Sequence, residues 1–482
     1  MNVKLGVLGL AMINIAAIVS VRNLPVMAEY GWSMLALFAL SIVVFLVPIA
    51  MVAAELGTGW PRDGGVYAWV KEAFGERAGF LAVWCDYAEN VAWFPTVLSF
   101  MAASLAYAID PSLATDKVFL VVVMLAFFWA TTVVSLRGVG TSSWIGSVGT
   151  IAGSIIPAIG LVVLAAAFLA QGNPTQIPFS VGALVPDVEL NNLAFLGGII
   201  LLFTGMEMAG FHARDTRDPG RTVPRAIALC VGVVVVFSVV GSLFLAMVVP
   251  ASEISLVSGT MELFSRVLDR LGIGWAVAPL ALVVAFGGVA HLAPWILGPA
   301  NGVAAVAAQG SAPPRLGRLN AHGVPVTLLL LQGAAGTVFT LLFLLVPSVS
   351  TSYWMLSAVT AQIVIIMYGL MFAAVVRLRH TQPDTPRPYR IPGGLPGVWA
   401  VGGVGLTGCV FAFVLGFVPP GQLATGNTVT YVLLLATAVI VLSAPPFVFA
   451  ALARRRAQRE GTGGTDGTGG EAGDETEAVS AR

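Results

Sequence analysis

The chain has 482 residues, of which 57% are hydrophobic and only 10% charged, with a mean hydropathy of +0.91. That balance excludes a soluble helical domain, whose helices need polar faces, and a membrane β-barrel, which shows short alternating segments. The formal net charge is zero, so only the distribution of charge carries information.

A hydrocarbon core of about 30 Å needs about 20 apolar helical residues to cross it. About twelve runs of that kind succeed one another, near 4–28, 33–57, 78–108, 117–136, 144–170, 190–211, 224–250, 274–309, 323–346, 352–379, 396–418 and 428–452. The expected fold class is therefore an all-α membrane protein of about 12 transmembrane helices. The first run is interrupted at mid-depth by Ser20, Arg22, Asn23 and Pro25. After the second run, Pro61 and the Gly64–Gly65 pair mark a turn. A short interfacial helix is expected there, with Tyr67, Trp69 and Phe74 at the membrane surface. The third run places Asp86, Glu89, Asn90 and Trp93 on one helical face. The sixth run is interrupted at Thr204, Gly205, Glu207 and Gly210, and the eighth carries His291 and Trp295. Gly149, Gly153, Gly298 and Gly302 have the spacing of close helix packing.

Of the 24 Lys and Arg residues, Lys117, Arg266 and Arg270 fall in one set of alternate loops, and Arg22 lies within the first run. All the others fall in the opposite set, at the ends of the runs, or beyond the twelfth. The positive-inside rule then puts both termini in the cytoplasm of a plasma-membrane protein. No cleavable signal is indicated. Cys85, Cys230 and Cys409 lack disulfide or metal spacing. Beyond Arg454–Arg456, the Gly-, Thr- and acid-rich segment cannot bury enough apolar area to fold. Three parts are expected: a membrane core of ten helices over 1–380, two further helices over 381–452, and a disordered cytoplasmic tail over 453–482.

Interruptions in the first and sixth runs, five apart, are the pattern of an inverted-repeat transporter. Broken backbone inside a membrane is tolerated where it lines a cavity or is buried in protein. Its freed N–H groups suit a carboxylate and its freed carbonyls an ammonium. Within the breaks, Ser20, Arg22, Asn23, Thr204, Gly205 and Glu207 are the candidate substrate contacts, joined by Glu89 and Trp295. An intramembrane carboxylate is expensive and defaults to function. Glu207, Asp86 and the titratable His291 are therefore the candidates for proton coupling or gating. Each also has a plain alternative, which for His291 is a packed core residue. Glu207 could hold the broken helix by a hydrogen bond. Arg22 could pair structurally with Glu207 or Glu29, and the aromatic residues around Asp86 could anchor the interface.

Four segments resemble the amino acid–polyamine–organocation transporters. AELGTGWPRDGGVYAWVKEAFGERAGF (54–80) is similar to the signature in which an acid closes the second helix before a P-x-x-GG-x-Y segment. GMEMAGFHARDTRDPGRTVPRA (205–226) resembles the sixth-helix Gly-x-Glu break with its succeeding N/D-P-x-R-x-x-P-x-A segment. HGVPVTLLLLQ (322–332) and PYRIPGG (388–394) are similar to the loops before the ninth and eleventh helices. VVPASEISLVSGTMELF (248–264) and WILGPANGVAAVAAQG (295–310) most resemble the glutamate:GABA antiporter branch. The resemblance implies a five-plus-five (LeuT-like) inverted repeat with discontinuous helices 1 and 6, and two further helices. It also implies alternating access for an amino acid or its amine, by exchange or with protons. A polyamine or other cationic-amine permease is the alternative. SVRNLP departs from the small, Gly-rich break usual in the family, and His291 stands where the branch is expected to have a carboxylate. The resemblance implies that a sodium site would take hydroxyl and carbonyl oxygens from the first and eighth spans, and residues 274–309 contain no Ser or Thr. Exchange or proton coupling is the reading that remains.

No H-E-x-x-H, clustered His/Asp site or P-loop occurs, so an embedded metalloprotease and an ATP-driven pump are not indicated. A channel would require rings of repeated polar residues. The partners expected are a small amino acid or amine, the lipid bilayer and protons. No nucleic acid, metal or cofactor is called for, and the oligomeric state is left open.

Overall fold

The computed structural model describes residues 4–61, 64–138, 148–187, 189, 193–194, 197–198, 202–213, 216–310 and 312–452, with only the backbone described at 17, 209, 211, 291 and 294. Among them nine helices are long and apolar enough to cross a membrane, and two bent helix pairs bring the total to eleven. In chain order these are α1 (Val7–Ile18) with α2 (Leu24–Ala28), α3 (Gly31–Gly59), α5 (Glu76–Ile109), α6 (Lys117–Ser135), α7 (Val148–Ala170), α9 (Pro219–Val248), α11 (Gly274–Ala308), α12 (Val326–Leu345), α13 (Val349–Thr381), α14 (Gly394–Leu415), and α15 (Thr428–Ser443) with α16 (Pro445–Leu452). The short helices are α4 (Val66–Phe74), α8 (Met208–Phe211) and α10 (Gly259–Arg270). Most of the sixth predicted run lies outside the described residues. So do Arg62 and the expected tail, 453–482.

Burial identifies the central helices. Of the apolar windows of α5 and α13, 78% and 72% are buried, against 39–50% for the other seven long helices. These two pack against each other, and α5 also packs along α11. Both carry polar residues inside an apolar run, and a polar group in hydrocarbon belongs inside the bundle. At about 1.5 Å per residue, α5 is about 50 Å long, so Glu89 to Thr96 fall near its middle.

The first span breaks as the sequence indicates. Between α1 and α2 lies a 3₁₀ turn, Val21–Asn23, and the halves bend by 47°. Pro25 sits in the first turn of α2, where its missing N–H is tolerated. Ser20 caps the turn through the Arg22 N–H, and Thr260 on α10 donates to the Val21 carbonyl at 2.7 Å. Residues 203–207 of the sixth run are turns rather than helix, and α8 comes directly after them. Gly205 lies at φ +97°, a conformation that a side chain would strain.

The loop helix α4 departs from expectation. Tyr67 and Trp69 are buried against protein, and only Phe74 is exposed. Trp69 donates to the Trp60 carbonyl and packs against Gly210. An amphipathic pattern does not say whether its apolar face meets lipid or protein; here the neighbouring helix ends cover it.

Glycine spacing was only partly informative. A Cβ on Gly153 would stand 2.3 Å from the Gly288 nitrogen, so α7 and α11 cross backbone to backbone. Gly302 packs on Val83, whereas Gly298 faces open space. Gly153→Ala is expected to destabilise by about 1–3 kcal/mol through overpacking, lowering the melting temperature in detergent. Gly298→Ala should leave it unchanged. Equal melting of the two variants would show that the crossing is not tight.

Candidate functional site

A cavity of about 70 Å³ opens where the broken first span meets α5, α7, α11 and the break in the sixth run. Ser20, Arg22, Asn23, Glu89, Thr204 and Trp295, all predicted contacts, lie in its wall. Asn90, Trp93, Ser154 and Gly288 line it as well. Trp93 and Trp295 meet with ring centroids 5.5 Å apart. The remaining candidates are outside the lining. Gly205 and Glu207 stand with Tyr368, and Asp86 is below Glu89 on α5. His291 lies on α11, and its side chain is outside the described residues.

Arg22 is buried. Its Nη1 donates to Thr96 at 2.8 Å and to Tyr353 at 3.4 Å, and the guanidinium lies over the rings of Trp93 and Tyr353. A structural pairing with Glu207 or Glu29 is therefore replaced by hydroxyl and ring contacts from α5 and α13. Glu207 accepts from Tyr368 at 2.8 Å, and the same Tyr368 oxygen accepts the Gly205 N–H at 3.1 Å. One hydroxyl thus satisfies an amide freed by the break and fixes the carboxylate beside it. The Asn90 amide donates to the Asp86 carbonyl at 2.8 Å and to Glu89 at 2.7 Å, leaving its own oxygen without a partner at the cavity. Glu89 is close enough for its charge to act on those of Asp86, Glu207 and Arg22.

Tyr353, Tyr368 and Thr96 were missed in the sequence. A signal existed for the tyrosines, since fifteen residues are about four helical turns and put both hydroxyls on one face of α13. No spacing connects them to Arg22 or Glu207, because that contact crosses the fold.

At the arginine-rich face, the fully buried Glu55 takes a bidentate pair from Arg379, at 2.6 and 2.7 Å, and the Ile391 N–H at 2.8 Å. Arg387 reaches the same carboxylate at 3.4 Å and stacks over Trp60. Gly57 packs against Gly210, and Gly220 against Pro388. Three of the four segments that carried the family resemblance therefore meet at one place.

A model of the amino acid permease family matches residues 5–441. The chain belongs to the amino acid permease family. It is similar to an uncharacterized transporter of Legionella pneumophila, 35% identical over 446 residues, covering 92% of this chain and 96% of the relative. A glutamate/gamma-aminobutyrate antiporter of Lactococcus lactis subsp. lactis is 29% identical over 460 residues, covering 94% and 91%. A probable agmatine/putrescine antiporter of the same organism is 25% identical over 359 residues, covering 73% and 74%. This permease is thus a multi-pass membrane transporter, not an enzyme, with the all-helical inverted-repeat fold of about twelve helices.

On the face opposite the arginines, α10 covers the break in the permease's first span. Its Glu262 accepts from Tyr107 at 2.6 Å and from Arg266 at 2.6 Å, and Arg266 also pairs with Glu253. Burial alone would raise the Glu262 carboxyl, but the Tyr107 and Arg266 hydrogen bonds and the arginine charge outweigh it and hold it below the usual range. A depressed carboxyl stabilises the fold above its unfolded value and loses that contribution as pH falls through the folded value. The melting temperature should therefore drop on acidification below about pH 4. Glu262→Gln should cost about 1 kcal/mol or less of stability at neutral pH, because the pair is about one-third exposed, and so lower the melting temperature modestly and flatten the acid drop. An unchanged acid profile in the variant would remove this network as its source.

Proposed function

We propose that this permease exchanges an amino acid for a related amine by alternating access, with the substrate held between the two helix breaks. One observation carries the reading: a single cavity wall holds both the Arg22 guanidinium and the Glu89 carboxylate, the complements of a carboxylate and an ammonium. Ser20, Asn23 and Thr204 supply polar groups from the breaks, and Trp295 with Trp93 encloses the aliphatic part. Asp86 and Glu207 stand behind as the proton-coupling and gating groups, with His291 a third candidate on α11. The relative named a glutamate/gamma-aminobutyrate antiporter makes an acidic amino acid and its decarboxylated amine the first pair to try. Both termini are assigned to the cytoplasm by the arginine-rich face. Helices over 1–380 form the transport core, and the helices over 381–452 flank it.

Charge balance favours a second reading. Three carboxylates against one guanidinium leave excess negative charge in a low-dielectric centre, which protons or a cationic substrate would offset. A di-cationic amine fits that imbalance, and one relative is named a probable agmatine/putrescine antiporter.

Counterflow in proteoliposomes separates the two. Vesicles are loaded with one unlabelled amino acid or amine, and labelled glutamate, arginine, GABA or putrescine is followed inward. Accumulation of glutamate against internal GABA, above empty vesicles, is expected. Accumulation of putrescine or arginine alone would favour the cationic reading. Uptake driven only by a pH gradient, with no internal partner, would contradict exchange.

A further inference from the structure

Asn14 is the least satisfied polar side chain among the described residues. It is fully buried on α1, and neither its carboxamide oxygen nor its nitrogen has a hydrogen-bond partner. It lines neither the central cavity nor the smaller cavity beside Gln362, so no space described there brings water to it. Both atoms of an amide left unmade in an apolar setting are a standing penalty on this conformation.

Its position gives that penalty a direction. One turn towards the N-terminus, Leu10 and Ala11 are fully buried in an apolar seam with Ala50 and Ala54 of α3 and Val223, Ala226 and Ile227 of α9. One turn the other way, Ile18 lines the cavity and packs at Gly205 in the sixth-run break. Asn14 therefore sits on α1 between the turn packed in that apolar seam and the turn that lines the cavity. The chain just before α1 is held to the segment after the sixth run by the Leu5–Thr216 bridge and the Arg217 N–H on the Leu5 carbonyl.

We propose that Asn14 is a built-in bias against the closed seam. Its carboxamide finds partners only when α1 parts from α3 and α9 and water enters, so it stabilises the conformation open to the arginine-rich face. An apolar residue of the same size would seal the seam. The closed and open forms need differ only in how they solvate this one group for the equilibrium to move by about tenfold.

This role rests on alternating access but on no particular substrate. In a background with Cys85, Cys230 and Cys409 replaced, Ala11→Cys reports opening of the seam through alkylation by a water-soluble maleimide. Adding Asn14→Leu should slow that alkylation about tenfold, raise the melting temperature and slow exchange. Asn14→Ala, which cannot overpack, should shift alkylation the same way. Unchanged alkylation in both variants would overturn the proposal. A lower melting temperature or loss of folded protein in both would overturn it too, because the carboxamide would then be needed by the closed form. Both readouts work without substrate. A failed counterflow experiment would leave them standing, and their failure would leave exchange standing.

Discussion

Backbone amides and carbonyls have no water to turn to inside a membrane, and this permease interrupts two of its spans there. Everything else at its centre answers that constraint. Thr260 takes the Val21 carbonyl, Ser20 the Arg22 N–H, and Tyr368 the Gly205 N–H. Ser20 comes from the break itself, and the other two come from elements positioned to supply them: α10 over the first break, and α13 beside the second. The most buried helices, α5 and α13, are also those that bring Thr96, Tyr353 and Tyr368 to Arg22 and Glu207. Satisfying the breaks and building the polar centre are one task.

The same economy holds at the arginine-rich face. Glu55 would be a severe liability alone in a buried position. Arg379, Arg387 and the Ile391 N–H surround it, tying the end of α3 to the loop before α14. The close contact of Gly57 with Gly210 then couples that anchored end to the second half of the broken sixth run. Three of the segments that carried the motif resemblance, far apart in the chain, are in direct contact here.

Hydropathy made the spans legible, because twenty apolar residues in a row have few other uses. The break in the first span was legible from Pro25 and its polar neighbours, and Gly205 marked the second. Six of the candidate contacts fall in one cavity wall. Contacts across the fold could not be read. Arg22 reaches hydroxyls on α5 and α13 that no local pattern links to it, and Trp69 turned inward because helix ends cover α4. Burial of α4 depends on tertiary neighbours, and periodicity is silent about them.

The proposal that substrate occupies the space between the two breaks is open to direct test by substrate protection of a single cysteine at Ser20 or Thr204 in a cysteine-free background. Alkylation there should be slowed, saturably, by whichever amino acid or amine drives counterflow, over the concentration range in which transport saturates. Full alkylation in the presence of saturating, transported substrate would contradict the placement.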